Sequence, residues 1–372
     1  MTGRIRIGHV TQSIGGVETY ILTILDNLGR DRFAHTVICP GDTSLAARAR
    51  QLGAEVVPVG MVRDVRPISD LASFVSVVRA LRKSGVDVVH AHSGKGGALG
   101  RLAGFACGLP VAFTPNAFSH LSGRGLGREA LLGTERILAR LPRGGVLVAS
   151  SESEADRAVR EVGWPASRVR RDCPNAIAPT AFARGRREPG PVRVLAVTRL
   201  AAQKDPLRLV RVAGGVVRSG ADVSFAVVGA RERDEHLVGV GEAIAAAGLA
   251  DRVRLVPWSD ATDVRRHYEA ADICFTAARY EGLPFALLDA LDAELPVVAT
   301  DVDGNRDAVV HGVTGYLAAT DDALVEAVLA LAADGALRLA MGQAGKRLLR
   351  ERFDVARTMP ILGEIYRQLA NA

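Results

Sequence analysis

Two cations and two carboxylates in the second half of the chain have the types and spacing to frame an anion such as a diphosphate. Arg199 and Lys204 flank the turn in Thr198-Arg-Leu-Ala-Ala-Gln-Lys-Asp-Pro206, where an apolar run ends and a helix is expected to open. Cations beside the unpaired amides of a helix start suit a diphosphate. Glu281 and Asp289 lie in TAARYEGLPFALLDALDAELPVVAT, residues 276–300. Here the pattern predicts a strand ending near Thr276, a loop holding Glu281 and Gly282, a helix from about Pro284 to Ala293 and a strand from Pro296 to Ala299. Proline as the first helical residue loses nothing by lacking an N–H. The amides of Leu283, Phe285 and Ala286 are therefore expected to face an anion framed by the two carboxylates.

These residues need strands that end together. Strand-length apolar runs alternate with amphipathic helical segments along the whole chain, which predicts an α/β protein of parallel sheets with helices on both faces. The first set is Ile5 to Val10, Thr36 to Cys39, Glu55 to Val59, Val86 to Ala91, Val111 to Thr114 and Val146 to Ala149. A second set starts at Val192 and continues with Val223 to Val228, Val253 to Val256, Ile273 to Thr276 and Val297 to Ala299. ARGRREPGP, residues 183–191, reads as a linker between two Rossmann-like domains, 1–185 and 190–355. The terminal segment 356–372 is expected to return to the first domain.

In the first half, Gly15 and Gly16 follow the first strand and let backbone approach a ligand. No G-x-G-x-x-G accompanies them, which argues against a dinucleotide-binding site. Lys95 follows Gly94, but Val89 and Gly96 stand where a P-loop needs Gly and Ser or Thr. His90 reads as a structural histidine at a strand end. Asp301 and Asp303 have the D-x-D form of a manganese site and are read as a structural loop, so no metal and no cofactor is expected.

Taken in order, these motifs resemble family 4 glycosyltransferases, retaining enzymes of the GT-B fold with two Rossmann-like domains facing across a cleft. Glu281 to Asp289 is similar to the family's E-x7-E signature, with Asp in place of the second Glu, and Arg199 to Asp205 to its R-L-x-x-Q-K-[GD] motif. The resemblance implies that Glu281 contacts the donor sugar and Asp289 the ribose, while Arg199 and Lys204 stabilise the departing diphosphate. Gly15, Gly16, Gly282, Leu283, Pro284 and Phe285 complete the implied donor site. His92 and Lys95 are implied to meet the acceptor, as is Asn116, which stands with Ala117 where relatives often carry His-Gly. Trp258 occupies the region of the family's nucleobase contacts, where stacking on a base is one reading and packing in the core the favoured one. Glu294 replaces a frequent glycine. The implied reaction is transfer from a nucleoside-diphosphate sugar to a lipid-linked or polysaccharide acceptor. A sugar-nucleotide epimerase and a non-catalytic sugar-nucleotide-binding subunit are the alternatives.

Composition agrees with a globular chain: 372 residues, 48% hydrophobic and 24% charged. No signal-like segment and no run of eighteen apolar residues occurs, and the chain reads as cytoplasmic. Four dispersed cysteines offer no zinc pattern. Charge is uneven, with a net +10 over residues 1–188 and −4 over 189–372. Part of the excess falls in residues 118–145, where Leu131, Ile137, Leu138 and Leu141 recur at near-helical spacing among Arg128, Arg136, Arg140 and Arg143. That stretch is expected either to pack on the sheet or to rest on an anionic membrane carrying the acceptor. Nucleic acid is not expected, because no aromatic platform accompanies the basic residues.

Overall fold

The computed structural model describes the chain apart from residues 1–2, 13–14, 63–65, 142–144, 181–189, 232–233, 235 and 259–260. Most of the expected linker therefore lies outside the described residues. The chain divides into two compact units: Met1–Ala176 with Val355–Ala372, and Ile177–Asp354.

The first unit holds a parallel sheet of seven strands: β1 Ile5–Val10, β2 Phe33–Cys39, β3 Glu55–Pro58, β4 Val88–His92, β5 Val111–Thr114, β6 Val146–Val148 and β7 Val169–Arg170. Its order is β3-β2-β1-β4-β5-β6-β7, so the winding reverses between β1 and β4. The helix Lys95–Cys107 sits so close to this sheet that a Cβ on Gly97 would stand 2.4 Å from the Phe113 ring, and one on Gly100 2.7 Å from the Ala91 Cβ. The glycines after Lys95 thus serve helix-to-sheet packing rather than a ligand loop. The helix Val355–Ala370 belongs to this unit and buries Met359, Leu362, Ile365 and Tyr366.

The second unit holds six parallel strands: β8 Val192–Val197, β9 Val223–Ala230, β10 Val253–Pro257, β11 Ile273–Thr276, β12 Val297–Thr300 and β13 Gly315–Ala318. Its order is β10-β9-β8-β11-β12-β13, reversing between β8 and β11. Val194, Phe225, Val227, Ile273, Phe275 and Val298 form its core with Leu209, Val212 and Val216 of the helix Pro206–Arg218. In open α/β sheets, ligands enter where the winding reverses, at the carboxyl ends of the strands. Each unit therefore has one such crevice, bounded by the loops after β1 and β4 in the first and after β8 and β11 in the second.

The basic stretch after Phe118 folds as the helix Gly125–Ala139, with Leu132, Leu138 and Ala139 buried. Arg128 pairs with Glu129 and Glu161 at 2.9 and 3.3 Å, and the Arg136 Nε donates to the Glu161 carbonyl at 3.0 Å. One face of this helix packs on the unit, and Arg128 and Arg136 bond within it, while Leu126 and Ile137 are 90% and 67% exposed and Arg140 is exposed. Arg143 lies outside the described residues.

Candidate active site

The loops at the second unit's reversal carry the residues singled out above. After β8, a short turn Ala202–Lys204 leads into the helix Pro206–Arg218, whose first turn is capped by the Asp205 carboxylate accepting from the Arg208 amide at 3.3 Å. After β11, the loop bearing Glu281 leads into the helix Phe285–Asp292. The Lys204 ammonium donates to Glu281 Oε1. Gln203 donates to the Tyr280 carbonyl at 3.1 Å and to Glu281 Oε2 at 3.4 Å, and its own carbonyl accepts from the Arg279 amide at 2.8 Å. Glu281 is buried, so Lys204 is the opposite charge its carboxylate needs. Arg199 lies half-buried in the same β8 loop.

Helix geometry at the site differs by one residue from expectation. Pro284, at φ −75° and ψ 123°, is the extended residue preceding the helix and not its first member; its carbonyl accepts from the Leu287 amide at 3.0 Å. The amides without an acceptor inside the helix thus begin at Phe285 and Ala286. Leu283 and Gly282 precede them, both buried. Gly304 is a member of this site that the sequence did not point to. A Cβ there would stand 2.4 Å from the Gly282 carbonyl oxygen and 3.0 Å from the Glu281 Cβ, and its φ is +78°. Only glycine lets the β12 loop press against the Glu281 loop so closely.

Asp289 lies inside the helix, near Tyr268, Cys274 and Asp292. Burial and then the Asp292 charge push its carboxyl up to about 7, while burial and then Asp289 push the Cys274 thiol up to about 12. Trp258 corrects its expectation. It is 49% exposed, its amide donates to the Ala230 carbonyl at 2.9 Å, and the Arg231 guanidinium lies 5.2 Å from its ring centre. Asp301 and Asp303 both face Arg306, at 2.6 and 3.4 Å, and that cation draws Asp301 below the usual carboxylate range despite its partial burial. Both carboxylates of the D-x-D pair thus already meet a cation of their own loop.

In the first unit, Gly15 at φ +79° precedes the helix Gly16–Asn27, so Gly16 is its first residue. The Lys95 ammonium pairs with Asp70 at 2.7 Å. Asn116 and Ala117 both take positive φ, +50° and +75°, in a loop pinned by the buried Glu154. That carboxylate accepts from the Ala117 amide at 2.7 Å and from the Ser150 amide and hydroxyl at 2.7 and 2.8 Å. The Asn116 Nδ2 has no partner among the described residues.

His92 corrects another expectation. β4 runs one residue further than expected and pairs His92 with Thr114. Alternation then turns His92 to the same face as His90, where its side chain is wholly buried and cannot meet an acceptor. His35 Nδ1, His9 and His92 form a chain through the interior. His9 Nε2 lies 3.0 Å from His35 Nδ1, and His9 Nδ1 lies 3.1 Å from His92 Nε2. His90 lies beside it, bonded to the Tyr366 hydroxyl at 2.6 Å and to Thr114 at 2.9 Å. Burial first, then neighbouring charge, pushes His90 down to about 3 and His35 to about 4, and holds His9 and His92 well below 6.5. No sequence pattern marked this group, because its members come from three strands.

Comparison with known proteins places the chain. Residues 179–348 match the family "Glycosyl transferases group 1" and residues 15–171 match "Glycosyl transferase 4-like domain". A UDP-Gal:α-D-GlcNAc-diphosphoundecaprenol α-1,3-galactosyltransferase of Escherichia coli is 24% identical over 383 residues, covering 98% of this chain and 97% of the relative. A D-inositol 3-phosphate glycosyltransferase of Salinispora tropica is 28% identical, covering 96% of this chain and 81% of the relative. Among solved structures, Anabaena HepE in complex with UDP and glucose superposes with a TM-score of 0.83 at 18% identity, covering 98% of this chain and all of the other.

Fold and sequence together define a nucleotide-sugar-dependent glycosyltransferase with the GT-B fold. The chain belongs to the group 1, family 4-like glycosyltransferases, which are retaining enzymes.

Proposed function

We propose that the protein transfers a hexosyl group from a UDP-sugar to an acceptor carried on a lipid diphosphate. The observation that carries this reading is the meeting of Lys204, Gln203 and Glu281 at the β8–β11 reversal, beside the start of the helix Phe285–Asp292. A diphosphate held there would be met by Lys204, by Arg199 and by the amides of Phe285 and Ala286, so negative charge finds compensation as it grows on the leaving group. Glu281, fixed by Lys204 and Gln203, would take the sugar hydroxyls, with Leu283 and Gly282 beside it. Asp289 would reach the ribose, and Trp258 with Arg231 would offer a stacking face to the base. Gly15 and Gly16 would bring amides to the donor phosphates or the acceptor. Lys95 and Asn116 would hold the acceptor.

The bond between the anomeric carbon and the phosphate oxygen breaks with its electron pair leaving on that oxygen. The acceptor hydroxyl oxygen forms the new bond on the same face, and its proton passes to the departing phosphate. UDP-hexose and a lipid diphosphate are favoured because the Escherichia coli galactosyltransferase, similar over nearly its whole length, names both. A second support for UDP is HepE, which was solved with UDP and glucose.

The test is transfer of labelled sugar from UDP-sugars to a lipid diphosphate acceptor by wild type, Arg199→Ala and Lys204→Ala. Loss of about 2–4 kcal/mol of transition-state stabilisation, roughly 30- to 1000-fold in kcat/KM, is expected of each folded variant. Undiminished transfer by both would remove these residues from the reaction.

A further inference from the structure

We propose that the helix Pro67–Ser84 docks the protein on an anionic lipid surface. The inference rests on the reading that the acceptor is lipid-linked and supplies the surface on which that acceptor is met. The inner face of this helix is fully used, with Ser73, Val77, Ala80 and Leu81 buried in the first unit. On the other side, Ile68 is 89% exposed, Leu71 64% and Val75 37%. Their spacing at i, i+3 and i+7 puts them on one line along roughly 10 Å of helix. A single exposed aliphatic residue is ordinary, but an aligned set of three facing water opposite an already buried face is the pattern of a helix with a second apolar partner.

Charge names that partner. Arg66, Arg79, Arg82 and Lys83 are all exposed on and beside this helix. Its one acid, Asp70, is turned inward to Lys95 at 2.7 Å and accepts from the Arg66 amide at 2.9 Å. The outward face therefore presents aliphatic side chains flanked by cations that form no ion pair among the described residues, which is what an anionic headgroup layer over acyl chains attracts. The three cations of the last turns also suit the helix dipole, but the dipole asks nothing of Ile68, Leu71 or Val75. No aromatic residue lies in the stripe to stack on bases.

The Asp70–Lys95 pair gives the surface its place relative to the chemistry. It fixes the first turn of the docking helix against the start of the helix that follows β4, at the unit's own winding reversal. Lipid met by Ile68 and Leu71 would thus present its phosphate beside the loop proposed to take the acceptor.

Cosedimentation of the full-length protein with phosphatidylglycerol-containing vesicles and with pure phosphatidylcholine vesicles tests this. Wild type should bind the anionic vesicles, more weakly as salt rises. The Ile68→Ser, Leu71→Ser double variant should lose roughly tenfold of that partition. An Arg79→Gln, Arg82→Gln, Lys83→Gln variant should lose the preference for anionic lipid, and Arg136→Gln, Arg140→Gln in the next basic helix should change little. All these positions are exposed, so folding should survive, as checked by circular dichroism. Wild-type partition by the double variant would overturn the inference. So would self-association of wild type without vesicles that the double variant abolishes, since the stripe would then face a second copy. Transfer to a short-chain, water-soluble lipid diphosphate separates the two readings: transfer without vesicle binding refutes docking alone, and vesicle binding without transfer to any lipid diphosphate refutes the acceptor alone.

Discussion

Mild acid should open the first unit before the second, and the imidazole chain sets the size of the effect. Above about pH 6.5 the histidines are neutral in both the folded and the unfolded chain and leave stability untouched. As pH falls below that value, the unfolded chain takes up protons that the buried rings refuse, so stability falls with pH by about 1.4 kcal/mol per unit for each such ring. His90 titrates near 3 and His35 near 4 in the fold. At about pH 5 each therefore costs roughly 2 kcal/mol, some 4 kcal/mol for the pair, and His9 and His92 act in the same direction. Set against a total of about 5–15 kcal/mol for a domain, this is enough to shift the unfolding midpoint strongly. The two tryptophans make the assay local: Trp164 lies buried in the first unit, and the exposed Trp258 belongs to the second. Urea titrations of a Trp258→Phe variant, followed by fluorescence between pH 7.5 and 5, should show the first unit losing stability. His35→Gln should flatten the slope by about 1.4 kcal/mol per pH unit. A first-unit stability that stays level across this window, or a slope that His35→Gln leaves unchanged, would show that the buried imidazoles do not set the acid sensitivity.

Three further outcomes follow from particular side chains. Glu294 takes φ +55° at the end of the helix Phe285–Asp292, where glycine is strain-free, and its carboxylate pairs with Lys346 at 3.2 Å. Relief of about 1–2 kcal/mol of left-handed strain outweighs a partly exposed ion pair of under about 1 kcal/mol, so Glu294→Gly should raise the urea midpoint of the second unit. Asp289 ionises only near pH 7, so if its carboxylate takes the ribose, calorimetry should find UDP affinity weakening by up to about tenfold per unit below that pH, a dependence lost in Asp289→Asn. Because Arg306 already pairs with both Asp301 and Asp303, saturating EDTA should leave the rate of transfer unchanged, and restoration of a lost rate by manganese would make that pair a ligand set.

Much of this was legible in the sequence because it was written in local patterns. Alternating apolar runs located both sheets, and the residues at the second reversal, Arg199, Lys204 and Glu281, lie within two continuous motifs. β7 and β13 escaped notice: one has two residues, and the other is a four-residue strand starting on a glycine, too short for a clear period. Pro284 was misplaced by one position because proline serves equally well just before a helix and at its first residue. His92 was misread because one extra residue of strand decides which face it takes. Trp258 needed the β9–β10 surroundings, since nothing in Arg254 to Trp258 says whether the ring turns inward. Gly304 and the histidine chain depend on contacts between distant strands, which no local period encodes. The docking stripe shows the same limit: residues 118–145 carried the stronger basic pattern, but only packing showed that Arg128 and Arg136 were engaged and that Ile68 and Leu71 were bare.

On the function proposed above, a nucleoside-diphosphate sugar would be held at the β8–β11 reversal by Lys204, Arg199 and the helix start at Phe285. Thermal unfolding of wild type and Lys204→Ala, with and without UDP and UDP-sugars, tests it most directly, because a ligand that binds only the folded state at about 100 times its Kd adds roughly 2.7 kcal/mol of stability. Tm should rise with UDP and its sugars for wild type, and the rise should largely disappear in Lys204→Ala. Equal rises in both proteins, or none in wild type with any nucleoside-diphosphate sugar, would contradict it.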